Sequence, residues 1–279
     1  MAASQTAAQR AGEYLYEHVT PSVFMEDMAF RDGTPGPGGR LPEIDLPTAE
    51  GGRFRSRELV ERGRPMLLVT GSYTCPMTAS SNPMLKRLHA RFGDHVEFVL
   101  LHAREAHPGE RFDQVDEAEQ KRQHARALKE RDGLPWSVAV DDPSGTVHRV
   151  LDGKPNAAWL TDGSGGIVFR SLWAGDERGM TQALEAVANG ERPLEAVSNR
   201  RMVPMAKGVG MMRESARRAG PRAGADLWRA APPMALLAWV ADLYRPLPPQ
   251  WRTAAAVATL GVGVAIAAAL ISRATSDRR

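Results

Sequence analysis

The sequence predicts an α/β domain, a mixed sheet flanked by helices, followed by an apolar C-terminal helix. Three observations carry this. Apolar runs at Met66–Thr70 and Val96–Leu101 are bounded by turn residues and separated by helical spacing at Met84, Leu85, Leu88 and Phe92, the pattern of parallel strands joined by a helical crossover. Ala157 to Leu160 and Ile167 to Leu172 flank the turn Asp162-Gly163-Ser164-Gly165-Gly166, which reads as an antiparallel hairpin. Thr253 to Ser272 is twenty residues without a charge, long enough to span a bilayer as a helix.

The elements follow in order. Ala8 to Val19 reads as a short helix with Ala11, Leu15 and Val19 on one face, and Arg31 to Arg40 as a Gly/Pro linker. Residues 1–40 are thus an appendage, and the domain begins near Leu41. Leu41 to Leu46 and Arg53-Phe54, separated by Glu50-Gly51-Gly52, form a first hairpin. Ser56 caps a helix ended by Gly63. The strand Met66–Thr70, the turn Gly71 to Thr74 and Cys75-Pro76 come next, then the helix Met84 to Phe92, stopped at Gly93. After the strand Val96–Leu101 a loop runs from His102 to Gly109. A polar helix spans Asp116 to Arg131 and a short strand Ser137 to Val140. A short helix ends near Val150, and Lys154-Pro155 leads into the second hairpin. Asp176 caps a last helix, with Met180, Leu184 and Val187 inward, ended by Gly190. The domain covers 41–190.

Charge is unevenly distributed. Residues 1–190 carry 22 Lys/Arg and 27 Asp/Glu, whereas residues 191–252 carry 11 and 5. A mildly acidic domain argues against nucleic acid as its partner, and the basic stretch argues for an anionic neighbour downstream. Residues 191–252 read as a basic, amphipathic linker with Met202, Met205, Val209 and Met212 on one side, or else as a disordered arm. Pro232 to Val240 is too short to span. The span is 253–272, flanked by Trp251, Arg252 and Arg273. Lys/Arg are more numerous before it, 11 in residues 191–252 against 3 after it, so the domain is expected on the cytoplasmic side, with the tail 273–279 outside. The first 30 residues hold no apolar secretory segment. The expected localisation is therefore a single-pass membrane protein anchored by its C-terminus.

The only cysteine, Cys75, lies where a strand hands over to a helix. One cysteine excludes an internal disulfide and a cysteine zinc cluster. The first helical turn has free N–H groups and the positive end of the helix dipole, which should help the thiol ionise. Thr78, one turn on, is placed for its hydroxyl to donate to the sulfur. A buried, inert core cysteine is the other reading.

The βαβ-then-hairpin order resembles the thioredoxin fold, with an N-terminal hairpin extension as in peroxiredoxin-like proteins. That resemblance assigns Pro155 as the cis proline set against the active thiol. The motif Gly71-Ser72-Tyr73-Thr74-Cys75-Pro76, with His102-Ala103-Arg104-Glu105-Ala106-His107-Pro108 after the next strand, resembles the iodothyronine deiodinase family over roughly residues 41–188. By that resemblance Cys75 takes the place of the selenocysteine, His107 that of the essential histidine, and Glu105 that of the glutamate before it. Sulfur in place of selenium favours a more general thiol redox role.

The expected chemistry is attack by the Cys75 thiolate on a halogenated, peroxide or disulfide substrate. His107 donates a proton to the leaving group and Glu105 orients His107, while Thr74, Thr78 and Pro155 shape the pocket. A loop histidine and a solvated loop glutamate are the plainer readings. His102 reads as a strand-end residue; His89, His95, His124 and His148 read as solvated. No metal or bound cofactor is expected. A single thiol cannot resolve itself, so an external thiol such as glutathione or a redoxin must regenerate it. Ser72-x-x-Cys75-Pro76 also fits a peroxiredoxin-like thiol peroxidase. From another class, a redox-inactive domain would use the same groove to hold a peptide strand.

Overall fold

The computed structural model describes residues 14–276. Buried apolar runs make the sheet. Strand β3 (Met66–Gly71) is buried at every position, as a strand covered on both faces must be. It pairs in parallel with β4 (Glu97–His102), which pairs in parallel with β5 (Ser137–Val140). On its other side β3 pairs antiparallel with β6 (Ala158–Thr161), which forms the predicted hairpin with β7 (Ile167–Ser171). A two-residue strand β8 (Val197–Ser198), absent from the sequence reading, extends the edge parallel to β7. The sheet order is β5-β4-β3-β6-β7-β8. The parallel βαβ unit and antiparallel hairpin meeting at a central β3 make this a thioredoxin-like fold.

Alternate β3 residues feed two cores. Leu67 and Val69 join Leu85, Leu88, Phe92, Leu128, Phe169 and Leu184 on one face. Met66 and Leu68 join Ile44, Phe54, Leu59, Leu151 and Trp159 on the other. The first face is covered by helices α3 (Pro76–Phe92), α4 (Ala118–Asp132) and α6 (Glu177–Ala188). The second is covered by the hairpin β1 (Asp45–Pro47) and β2 (Arg53–Arg55), with α2 (Ser56–Glu61) and α5 (Thr146–Val150). Helix α3 is continuous from Pro76, running through Pro83. The sequence pattern had shown only its last part, because the buried residues of its first turns are mostly small and polar: Thr78, Ala79, Ser80, Ser81 and Asn82.

Three expectations change at the ends of the domain. Residues 8–13 of the predicted Ala8–Val19 helix lie outside the described residues, and 15–20 are irregular; a helix α1 (Pro21–Glu26) forms instead. The Gly/Pro stretch does not hang free. Gly38 and Gly39 exchange backbone hydrogen bonds with Ile167, and the Trp159 indole donates to the Pro35 carbonyl at 3.0 Å. Residues 191–252 are neither linker nor disordered arm. They form α7 (Met202–Ala219), α8 (Pro221–Ala230) and α9 (Pro232–Asp242). Helix α7 packs on α3, with Val209 and Met212 buried as the periodicity implied, while Met202 is 84% exposed. Arg201, Arg217, Arg229 and Arg245 stay exposed, but Lys207, Arg222 and Arg252 are largely covered, which composition alone does not show.

The last helix, α10 (Pro249–Ser276), packs its first turns against α7 and α9. Thr253 donates to the Ala206 carbonyl at 2.7 Å. Its segment Pro249–Ala268 has mean hydropathy 1.4 and is long and apolar enough to cross a membrane. A Cβ at Gly210 would run into the Pro249 carbonyl, whereas Gly261 has open space. Gly210→Val should therefore lower stability by about 1–3 kcal/mol through overpacking, and Gly261→Ala should be tolerated. Thermal melts in detergent test this; equal midpoints would mean that α10 does not dock on α7.

Candidate active site

Strand β3 ends at Gly71, where a Cβ would sit 3.0 Å from the Thr78 side chain. The missing side chain lets the strand end pass close beneath α3. Cys75 is the N-cap of α3, in extended backbone conformation, and its sulfur accepts from the Thr78 N–H at 3.5 Å. Pro76 occupies the first helical position as predicted. Because β3 and β4 are parallel, Gly71 is in register with His102, and the two loops that follow lie side by side.

Glu105 joins those loops. Its Oε2 accepts from the Thr74 N–H at 2.8 Å and from the Thr74 hydroxyl at 2.7 Å. Its Oε1 lies 3.2 Å from His124 Nδ1 and 3.4 Å from His102 Nε2. Burial favours the neutral acid, but the His102 and His124 contacts outweigh it and hold the carboxyl well below the usual range. The expectation that Glu105 orients His107 needs correction. Glu105 contacts Thr74, whose hydroxyl oxygen accepts from the His107 backbone N–H at 3.0 Å. Glu105 therefore positions the loop, one residue removed from the imidazole. His124 is not solvated but turned in toward this carboxylate, and His102 is buried beside it.

Cys75, Pro76, Met77, Ala106, His107, Pro155 and Trp173 line one cavity of about 60 Å³. The rest of its wall comes from outside the expected domain. Val19, Val23, Phe24, Asp27 and Met28 close it from the N-terminal segment, and Met205, Val209, Met212 and Met234 from α7 and α9. Thr74 and Thr78 are fully buried and are not among the lining residues, so they support the pocket rather than line it. His107 and Pro155 do meet Cys75 at this cavity. The described residues contain no cis peptide bond, so Pro155 is trans. The turn before it places it on the cavity wall, with Asp152 and Gly153 at φ of 96° and 68°. That turn is pinned by the Lys154 carbonyl, which accepts from Thr70 Oγ1 at 2.8 Å and from His148 Nε2 at 2.7 Å.

The electrostatics differ from those expected of a helix N-terminus alone. Cys75 is 1% exposed. Burial pushes its thiol up to about 11, although the Thr78 side chain and the N–H groups of Thr78 and Met77 pull it down. Desolvation in an apolar, methionine-lined cavity outweighs the helix end. The thiol is therefore protonated at neutral pH in this closed arrangement. His107 is pushed down to about 4 by burial; its ring lies 5.7 Å from that of Phe24. At neutral pH it is an imidazole, so it offers an N–H rather than an imidazolium proton.

Sequence reasoning missed Asp27. Burial raises its carboxyl to about 6, against the lowering effect of Lys154 and Arg104. It was visible only as a charge interrupting the N-terminus, since nothing in its spacing shows that α1 folds back over Cys75. The same segment places Tyr14 on His148, with the phenol 2.6 Å from Nδ1, and Tyr16 on the Ala106 carbonyl at 3.0 Å. Arg104 lies over both rings, 4.8 and 4.7 Å from their centroids. His148, expected in solvent, is 1% exposed and pushed down to about 3, chiefly by burial. Among the described residues no group of three His, Cys, Asp or Glu side chains is arranged to hold a metal ion.

No family model matches the chain, and no curated protein matches it. Among solved structures, the chain is similar to an uncharacterised conserved protein from Geobacillus kaustophilus, at 18% identity and TM-score 0.49, over 60% of this chain and 89% of that one. It is also similar to a thiol:disulfide interchange protein of the thioredoxin family from Chlorobium tepidum TLS, at 15% identity and TM-score 0.43, over 57% and 99%. A third is the peroxidoxin BcpB from Mycobacterium tuberculosis, at 14% identity and TM-score 0.43, over 57% and 99%.

Two outcomes follow from this geometry. Iodoacetamide should modify Cys75 slowly at pH 7–8, with the rate rising about tenfold per pH unit toward the raised thiol value. A plateau already reached near pH 8 would contradict the desolvated site. His148 is held neutral when folded, while its unfolded value is about 6.5. Its contribution is thus intact above that value, and stability falls as pH drops from about 6.5 toward 3, by up to about 1.4 kcal/mol per unit. Chemical denaturation between pH 7 and 5 should show a steeper loss in the wild type than in His148→Phe; parallel curves would contradict a neutral buried His148.

Proposed function

We propose that the protein is a membrane-anchored monothiol oxidoreductase in which Cys75 attacks a small electrophile. The observation that carries this reading is the apolar cavity shared by Cys75, His107, Asp27 and Pro155. Cavity size favours one electrophile over the others. About 60 Å³ holds a few water-sized groups, enough for a peroxide O–O unit. A halogenated aromatic ring of the deiodinase type needs more room than those few groups. The peroxiredoxin-like reading, second on sequence grounds, is therefore the one the cavity supports best, with deiodinase-like chemistry as the alternative. A redox-inactive peptide-binding module has less support, because the groove that would take a strand is filled by α1 and α7.

The reaction balances as follows. Asp27 takes the thiol proton, sulfur attacks the distal peroxide oxygen, and the O–O bond breaks. Asp27 then protonates the leaving alkoxide while the His107 N–H is available to the departing oxygen. The products are a Cys75 sulfenic acid and an alcohol. One external thiol converts the sulfenic acid to a mixed disulfide and water. A second releases the Cys75 thiol and an external disulfide. Glutathione or a redoxin fits this role, and no other cofactor is required. The α10 helix would hold the domain at a membrane.

Cys75→Ser should abolish peroxide reduction coupled to glutathione oxidation. Retained turnover would end the enzymatic reading of this site. Asp27 acts here as the base, so activity should rise with pH through about 6, the value to which burial raises it. Asp27→Asn should lower kcat by about 10²–10⁴-fold and remove that acidic limb; an unchanged pH profile would exclude Asp27. Release of iodide from iodinated phenols, measured in parallel, separates the deiodinase-like alternative.

A further inference from the structure

A second cavity of about 310 Å³ opens between α7, α8 and α9. Its wall holds three arginines, Arg111, Arg213 and Arg217, and two tryptophans, Trp228 and Trp239. The arginines are poorly neutralised. Arg213, Arg217 and Arg245 all pair with one carboxylate, Asp242, at 3.1, 2.7 and 2.9 Å. Arg111 is drawn to the same wall by donating to the Arg217 carbonyl at 2.9 Å. Residues 202–252 as a whole carry eight Lys/Arg against three Asp/Glu.

The rim is apolar and wet. Trp228 and Trp239 are 46% and 44% exposed, and Leu236, Leu243, Leu247 and Trp251 continue the exposed apolar surface toward α10. Helix α9 runs along the first turns of α10, with Val240 and Ala241 packed on Ala256 and with Leu237 and Tyr244 near Leu260. The cavity is thus held beside the helix that is apolar enough to enter a bilayer. Tryptophans at such a level sit among headgroups, and basic clusters beside a membrane helix attract anionic lipid.

We infer that this cavity is a binding site for the headgroup of an anionic phospholipid, its phosphodiester facing Arg111, Arg213 and Arg217 and its acyl chains leaving past Trp228 and Trp239. Charge complementarity and continuity with the α10 surface select this occupant. A zwitterionic lipid would bring its own ammonium against the arginines. The site would seat the domain on the leaflet at fixed height, independently of the thiol chemistry.

The test uses the full chain in nonionic detergent, titrated with dioleoyl phosphatidylglycerol or dioleoyl phosphatidylcholine and read by native mass spectrometry. One phosphatidylglycerol should be retained and phosphatidylcholine released. Arg111→Gln and Arg213→Gln should each weaken retention by about fivefold, while Arg57→Gln, on exposed α2, should not. A wild-type measurement guards against misfolded variants: phosphatidylglycerol with brominated acyl chains should quench tryptophan emission more strongly than brominated phosphatidylcholine. Equal retention and equal quenching by the two lipids would overturn the site. Displacement of the lipid by equimolar inorganic phosphate would also overturn it, in favour of a free-anion site.

Discussion

The structure around Cys75 depends on one buried carboxylate. Glu105 is 2% exposed, yet it faces the Thr74 N–H, the Thr74 hydroxyl, His102 and His124. A buried charge is tolerated only when its hydrogen-bonding capacity is met, and losing its partners costs about 3–5 kcal/mol. That requirement ties the loop after β3 to the loop after β4. The first loop carries Cys75 and the second carries His107, so the spacing of these two cavity side chains is set by a residue that contacts neither ring nor sulfur. The Ser72 hydroxyl, which accepts from the Ala106 N–H at 3.2 Å, closes the same seam.

The second constraint is exclusion of water. The N-terminal segment and α7 cover the thiol, and His18 and the Val19 N–H are held by Asp226 of α8 at 3.1 and 3.3 Å. Two parts of the chain that flank the domain are thereby joined over its active edge. Desolvation then acts in the same sense on all three titratable groups of the cavity: it favours the neutral form of Cys75, of Asp27 and of His107. At neutral pH Cys75 and His107 are accordingly uncharged, whereas Asp27, raised only to about 6, is mostly ionised. Methionines at Met28, Met205, Met212 and Met234 give that cover adaptable packing.

Much of the fold was legible because it is written in local patterns. Met66–Thr70 and Val96–Leu101 can be buried only as central strands, and the hairpin turn at Asp162–Gly166 has its own chemistry, with Asp162 accepting from Ser164 and Gly166. The place of Cys75 at the start of α3, and its meeting with His107 and Pro155, follow from strand order. Helices α7 to α9 were not legible as a cap, because arginines interrupt the apolar faces of α7 and α8 and the apolar α9 carries no sign of what it packs on. Asp27, His124 and His148 were read as solvated or passed over for the same reason: a charged or imidazole side chain carries no local sign that a distant segment will bury it.

The sequence by itself therefore determined the α/β class, the site of the thiol at a strand-to-helix junction and the presence of an apolar helix of membrane-spanning length. Each is a property of neighbours in the chain, governed by periodicity and capping. Only the tertiary structure decided the ionisation of that thiol, the trans state of Pro155, the indirect role of Glu105 and the entry of Asp27 into the cavity. These depend on which remote side chains exclude water from a given atom, and desolvation and charge contacts are set by distances in space that sequence separation does not encode.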